Sequence, residues 1–359
     1  MPITRSAIPA PTRGGAVTAV CAITMLALTA CGSPPGTVSS AAASTAPPVS
    51  TPTGASASAS TPAASATASP VSTATGVARA SVQTTPGVAY ATASPAETLD
   101  LYLPASDGSK AVPVVVLIHG GAFAMGDSGM ESGYAQQLVA QGLAVASVNY
   151  RLSGEAAYPA GAQDVKAAVR WLRAHATQYG FDTTRFAAWG QSAGGWMANM
   201  LGATGDQKTI FDDASLGNAD QSSAVQAVVS WFGPTDFATM DAQAKAVTAC
   251  GSRSQVHGTA DSPESRWLGG AVSTSSQTAS TNISSYLATA TTLPAWYFAH
   301  GDSDCNVPGG QSAELDAALK KAGAAETSVV LKGAGHADPM FDQTQVEPTI
   351  AFLKKALAG

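Results

Sequence analysis

Acidic residues are missing from the first 96 positions of this 359-residue chain; every Asp and Glu lies from Glu97 onward. The same stretch holds three basic residues, Arg5, Arg13 and Arg79. Large apolar side chains are scarce between Gly32 and Pro86, where Ser, Thr, Ala, Pro, Gly and Val make up almost everything. A segment with nothing large to bury cannot offset the entropy of ordering its backbone, so it is expected to stay disordered. Residues 32–86 therefore read as a tether, whose roughly 50 flexible residues give an end-to-end distance of about 40 Å.

No apolar run is long enough to read as a membrane span. The uncharged stretch from Ala16 to Ala30, roughly 15 residues, is too short to cross a bilayer comfortably. Following Arg5 and Arg13, it reads as the core of an export signal over residues 1–31. It ends in Leu28-Thr29-Ala30-Cys31, which resembles the lipobox of bacterial lipoproteins. That resemblance implies a lipidated Cys31 as the new N-terminus; simple secretion with cleavage nearby is the alternative.

Charge is sparse, at 12% of residues. The part after Ala96 carries all 24 acidic residues and about nine more negative than positive charges. An acidic domain without a basic cluster argues against nucleic acid, and against any membrane contact other than a lipid anchor. Cysteine is scarce too. Cys21 would leave with the signal and Cys31 would be lipidated, so Cys250 and Cys305 remain. In an oxidising compartment they most simply pair. Closing that loop would stabilise the fold by about 4 kcal/mol in the chain-entropy model.

What the chain does have, over residues 87–359, is alternation of strand and helix patterns. Glu97–Pro104 alternates apolar and polar, the pattern of an antiparallel edge strand. Val112–His119 is continuously apolar and reads as a central strand covered on both faces, and Leu143–Asn149, Arg185–Trp189, Val225–Trp231, Pro294–His300 and Thr327–Leu331 read as further strands of a mostly parallel sheet. Helices are expected at Gly133–Gln141, Gln163–Tyr179, Ala193–Leu201, Gly310–Ala322 and Glu347–Leu357. Between Phe232 and Leu293 lies a mixed stretch expected to roof a pocket. The fold class is α/β, a mostly parallel sheet with helices on both faces.

The chain is organised around Gly190-Gln191-Ser192-Ala193-Gly194, a G-x-S-x-G sequence between an apolar strand and a helix. That context is what a nucleophile elbow needs. Beyond the carboxyl ends of later strands come Asp302 and Asp304, then His336, in the order Ser…Asp…His. A serine hydroxyl is a weak nucleophile until an imidazole takes its proton, and a carboxylate fixes that imidazole's tautomer. His119-Gly120-Gly121-Ala122-Phe123 follows a central strand, where small residues can turn backbone N–H groups toward a developing oxyanion.

HGGAF…GD, NYRLS, WGQSAGG, WFGPTDF, HGDSDCNVP and GAGH occur in this order over about 220 residues. Together they resemble the α/β-hydrolase superfamily, and within it bacterial carboxylesterases related to feruloyl and acetyl-xylan esterases, near the hormone-sensitive-lipase-like group. The resemblance implies an α/β-hydrolase fold and a serine ester hydrolase with no metal or cofactor. Its substrate would be a small-molecule or carbohydrate ester. It selects Asp304 over Asp302 as the acid beside Ser192 and His336. It also implies oxyanion donors at Gly121, Ala122 and Ala193. Ala122 stands where related chains have a third glycine, and Gln191 where hormone-sensitive-lipase-like chains usually have Asp. Asp127, Arg151, Asp164 and Asp236 also sit in family-like motifs, where buried ion pairs and loop bracing explain them at least as well as catalysis, so they are left out of the site. Two other readings share parts of this pattern: an exported serine exopeptidase of prolyl-oligopeptidase type, and a non-catalytic binding protein on the same scaffold.

If Cys31 is lipidated, the native protein partitions into the detergent phase and Cys31→Ser releases it to the medium. Wild-type protein already free in the medium, with another N-terminus, would contradict the lipobox expectation.

Overall fold

The computed structural model describes residues 81–358. The expected signal, Cys31 and the tether up to residue 80 lie outside the described residues. Eight strands form one sheet: β1 (Gln83–Ala89), β2 (Thr98–Leu103), β3 (Val112–Ile118), β4 (Ala144–Val148), β5 (Phe181–Gln191), β6 (Ala227–Trp231), β7 (Ala295–Gly301) and β8 (Glu326–Leu331). Their order is β1-β2-β4-β3-β5-β6-β7-β8. β1–β2 and β2–β4 are antiparallel, and every pair from β4 onward is parallel. β4 and β6 are buried along their whole length, as is β3 from Val114 onward. Continuous burial is why these strands read as unbroken apolar runs rather than alternating ones.

Two expectations at the amino end need correction. β1 starts at Gln83, inside the stretch expected to be tether, and it takes the sheet edge that β2 was expected to occupy. Six of its seven residues are exposed, so it has no apolar pattern to read. It also contains Pro86, which a strand tolerates at an edge or an irregularity. The β1–β2 register does shift between Thr85 and Val88. There the Gly87 N–H donates to the Asp100 carboxylate at 2.8 Å.

The helices are α1 (Ser132–Ala140), α2 (Ala160–Ala174), α3 (Ala176–Tyr179), α4 (Ala193–Thr204), α5 (Met240–Ala244), α6 (Pro263–Leu268), α7 (Gly310–Ala322), α8 (Pro339–Thr344) and α9 (Val346–Ala356). The single helix expected at Gln163–Tyr179 begins earlier and divides at His175 into α2 and α3. Its stripe Val165, Ala168, Val169 and Leu172 is fully buried. With apolar residues of α4 and α7 it forms the core on one face of the sheet. α1 and α9 cover the other face. Among the described residues no helix is long and apolar enough to cross a membrane.

Residues 232–294, between β6 and β7, hold α5, α6 and several short turns. They are anchored by aromatic stacking. Phe123, next to the glycine-rich loop after β3, lies flat on Trp267 of α6, with ring centroids 4.0 Å apart at 7°. Trp196 of α4 meets Trp267 edge-on at 5.1 Å, and its indole N–H donates to the Thr281 carbonyl at 2.9 Å. Aromatic pairs of this kind contribute about 0.5–1.5 kcal/mol each beyond their buried area.

Arg151, just after β4, is gripped by Asp164 of α2. Its Nη2 lies 2.6 Å from Oδ1 and its backbone N–H donates to Oδ2 at 2.8 Å. Asp164 is fully buried, whereas the Arg151 side chain keeps 17% of its surface exposed. Without Asp164, Arg151 keeps as a charged partner only the more distant Glu97 carboxylate at 3.8 Å, and its backbone N–H loses its acceptor. Asp164→Ala should therefore lower stability by about 3 kcal/mol in urea denaturation, and leave the sites beyond the strand ends intact.

Candidate active site

Ser192 joins β5 to α4 with φ 51° and ψ −121°, in the left-handed region that costs a non-glycine residue on the order of 1–3 kcal/mol. Its surroundings hold it there. Its N–H donates to the Trp231 carbonyl of β6 at 3.0 Å, and its carbonyl accepts from the Trp196 N–H at 3.2 Å. The turn closes so tightly that a Cβ on Gly190 would sit 2.0 Å from the Gly194 oxygen. A Cβ on Gly194 would sit 2.0 Å from the Ile118 oxygen of β3. Real Cβ atoms do not approach that closely, so both positions require glycine. The turn leaves Ser192 at the amino end of α4, where the first helical N–H groups lack intrahelical partners.

The serine hydroxyl faces His336. Nε2 of His336 lies 2.9 Å from Ser192 Oγ, and Nδ1 lies 2.8 Å from Asp304 Oδ2. A carboxylate beside Nδ1 makes that nitrogen the N–H donor, so Nε2 presents its lone pair to the serine hydroxyl. Asp304 is buried, and its Oδ1 accepts the backbone N–H groups of Asn306 and Val307, both at 2.9 Å. Burial opposes ionisation of this carboxyl, but hydrogen bonds from His300 and His336 outweigh it and hold the carboxyl well below the usual carboxylate range. Phe232 presses an edge against the His336 ring at 4.8 Å.

Asp302 plays a different part. Its Oδ1 accepts the Gly333 N–H at 2.7 Å, and its own N–H donates to the Leu331 carbonyl at 3.1 Å. The Ser303 N–H donates to the Ala334 carbonyl at 3.1 Å. These bonds join the loop after β7 to the loop after β8, and so fix the distance between Asp304 and His336. A disulfide between Cys250 and Cys305 ties the same loop to the segment after α5, as the cysteine count led one to expect.

The loop after β3 passes directly beside the nucleophile. A Cβ on Gly120 would lie 3.3 Å from Ser192 Cβ. Gly121, Ala122 and Phe123 take φ values of 112°, 56° and 59°. Ala122 therefore adopts the angle a third glycine would take freely, at a cost of roughly 1–2 kcal/mol. The N–H groups of Gly121 and Ala122 make none of the loop's backbone hydrogen bonds, which instead use the carbonyls of Gly121 and Phe123. The buried His119 ring stacks on Tyr150 at 4.4 Å, and its Nδ1 lies 2.7 Å from the Gly120 carbonyl. Tyr150 returns a hydrogen bond from its hydroxyl to the His119 carbonyl at 3.0 Å. Two exposed methionines, Met125 and Met130, lie just beyond this loop.

The expected residues thus gather in one place: Ser192, His336 and Asp304 in a hydrogen-bonded line, with Gly121, Ala122 and Ala193 in the loop and helix end around the serine. Two further groups lie nearby that the sequence analysis gave no role. His300, the first residue of the HGDSDCNVP motif, turns its Nε2 to within 3.3 Å of Asp304 Oδ2. Glu131, buried at the start of α1, lies 3.3 Å from the amide nitrogen of Gln191. Burial, with the Asp342 charge adding, pushes the Glu131 carboxyl up to about 7. The His300 contact is made locally, from the end of β7 to the loop after it, four residues along the chain, whereas that of Glu131 joins segments 60 residues apart that the sheet brings together.

The family model described as BD-FAE matches residues 99–319, a span that includes Ser192 and Asp304 and stops short of His336. Esterase LipC of Mycobacterium tuberculosis is 27% identical over 259 residues, 71% of this chain and 60% of that protein. The solved structure titled as a truncated carbohydrate esterase from gut microbiota is 28% identical, with TM-score 0.67, covering 79% of this chain and all of that one. A bifunctional GH43-CE protein of Bacteroides eggerthii is 30% identical with TM-score 0.65, over 77% of this chain and 38% of that protein. The chain spans less than two thirds of the length of the curated relatives it matches first.

Exchanging the two carboxylates for amides separates their parts. Asp304→Asn presents the wrong partner to Nδ1 and should cost on the order of 10⁴ in turnover of p-nitrophenyl acetate. Asp302→Asn keeps an acceptor for the Gly333 N–H and should cost far less. The opposite order of damage would exchange the two assignments.

Proposed function

Because the chain belongs to the BD-FAE family of the α/β-hydrolase superfamily, we propose that it is a serine carboxylester hydrolase working through an acyl-enzyme. The observation that carries this reading is the line from Ser192 Oγ to His336 Nε2 at 2.9 Å and from His336 Nδ1 to Asp304 Oδ2 at 2.8 Å.

Ser192 Oγ attacks the ester carbonyl while His336 Nε2 takes its proton. Asp304 keeps the imidazole in the required tautomer and stabilises the imidazolium. The carbonyl oxygen becomes an oxyanion, which the N–H groups of Gly121, Ala122 and Ala193 receive. Collapse of the tetrahedral intermediate breaks the ester C–O bond, and His336 protonates the departing alcohol. Water, deprotonated by the same nitrogen, then attacks the acyl-enzyme and releases the acid. The geometry calls for no other group to carry protons.

The substrates in this reading are small-acyl or aryl esters, with acetyl or feruloyl esters of carbohydrates included. Support for the carbohydrate class comes from the 28% identical structure titled as a carbohydrate esterase. Residues 87–359, with β1 added at their amino end, are the catalytic domain in this reading. Residues 1–31 export it, Cys31 anchors it by lipid, and the chain from residue 32 up to β1 holds it away from the surface. The Cys250–Cys305 bridge is compatible with export.

Ser192→Ala tests the activity. It should abolish hydrolysis of p-nitrophenyl esters, acetyl-xylan and methyl ferulate, by on the order of 10⁶ in turnover, with an unchanged circular dichroism spectrum. A variant that keeps even a few per cent of wild-type turnover would remove Ser192 from the role.

A further inference from the structure

Asp304 is a buried carboxylate whose two oxygens are divided between two tasks. Oδ1 is held by the backbone N–H groups of Asn306 and Val307, and Oδ2 faces His336. Oδ2 has a second neighbour that the reaction described above leaves unused. His300, at the end of β7 and only 3% exposed, places Nε2 3.3 Å from Oδ2 and 2.9 Å from the Val307 carbonyl. Its other nitrogen, Nδ1, lies 2.7 Å from the hydroxyl of Ser312 on α7.

The partners decide where the protons sit. Nε2 faces two acceptors, a carboxylate and a carbonyl, so it carries hydrogen. Ser312 can donate to Nδ1 or accept from it, so Nε2 remains a donor toward Asp304 in either protonation state. A core histidine that needed only its own hydrogen bonds satisfied would be content with Ser312 and Val307. Here the same N–H also reaches the carboxylate.

We propose that His300 is a positioning residue for the triad acid: its Nε2–H, aimed by Ser312, holds Asp304 in the orientation that serves His336. The inference rests on the esterase reading and on Asp304 as its acid. The titratable groups that bear on Asp304 are His300 from β7 and His336 from the loop before α8. α7 contributes the uncharged Ser312, while its Glu314 is engaged with Thr239 and Gln243. Asp302 is turned to Gly333.

Without the His300 donor the carboxylate stays buried but loses one of the two groups that hold Oδ2. It can then rotate, and it holds a proton more strongly, alone or shared with His336. The working, deprotonated arrangement is reached only at higher pH. The rising acidic limb of the activity profile should therefore move upward, and turnover should fall at its plateau.

The test uses the full chain and three variants: His300→Leu, His300→Gln and Ser312→Ala. Two rates are measured across pH, kcat/KM on p-nitrophenyl acetate and labelling of Ser192 by a fluorophosphonate, with urea midpoints alongside. His300→Leu should lower the plateau on the order of 10²-fold, the scale of a group displaced by about 1 Å. Its acidic limb should rise by about one pH unit. His300→Gln, whose amide N–H reaches the place of Nε2, should recover most of both losses, and Ser312→Ala should show a smaller shift in the same direction. A folded His300→Leu with the wild-type profile, or one that loses stability alone, overturns the inference. Should His300→Leu not fold, a wild-type profile in Ser312→Ala does the same. Wild-type protein that labels at Ser192 but hydrolyses no ester overturns the esterase reading, and the labelling rates still decide the part played by His300. No labelling of the wild type overturns both.

Discussion

A serine held at φ 51° is the constraint on which the rest of the site depends. The angle is costly, so it persists only where the surroundings over-determine it. Three strands do so here. β5 delivers the residue, β6 takes its N–H through Trp231, and β3 lies so close that only glycine fits at Gly194. The strain sets the hydroxyl proud of the sheet and points it away from the core. Because β3, β6 and the second half of β5 are buried on both faces, their carboxyl ends cannot shift independently, and the serine inherits their rigidity.

The other side of the site is held by loops rather than by strain. The turns after β7 and β8 are joined by backbone bonds through Asp302, Ser303, Gly333 and Ala334, and pinned from outside by the Cys250–Cys305 bridge. Asp304 and His336 are therefore placed against each other before either meets Ser192. On the third side, Phe123 continues the glycine-rich loop after β3 into the aromatic stack under Trp267. That stack links the loop to the segment between β6 and β7, so a change of shape in that segment would be felt at Gly121 and Ala122.

Most of this was legible in the sequence, for physical reasons. Strands buried on both faces leave continuous apolar runs, and the G-x-S-x-G turn leaves glycines where backbone atoms nearly touch. β1 was illegible because it is exposed and contains Pro86 and Gly87, so neither period nor composition marks it. The choice between Asp302 and Asp304 was also beyond the residues alone. Two positions apart on one loop, they fit the chain order equally well, and the resemblance to known hydrolases made the choice. Glu131 was hidden because its partner Gln191 lies 60 residues away and meets it through the sheet. His300 stood in plain view inside the HGDSDCNVP motif, but spacing alone does not say that a histidine turns back on the aspartate four residues on.

The central claim is that an acyl group passes through Ser192. Turnover of p-nitrophenyl acetate, quenched in acid within the first cycle and followed by peptide mass spectrometry, reads that directly. The account predicts an acetyl group on the peptide that carries Ser192, in an amount that saturates at one per chain and is absent from His336→Ala. Steady hydrolysis with an unmodified Ser192 peptide and the acyl group on another residue would contradict it.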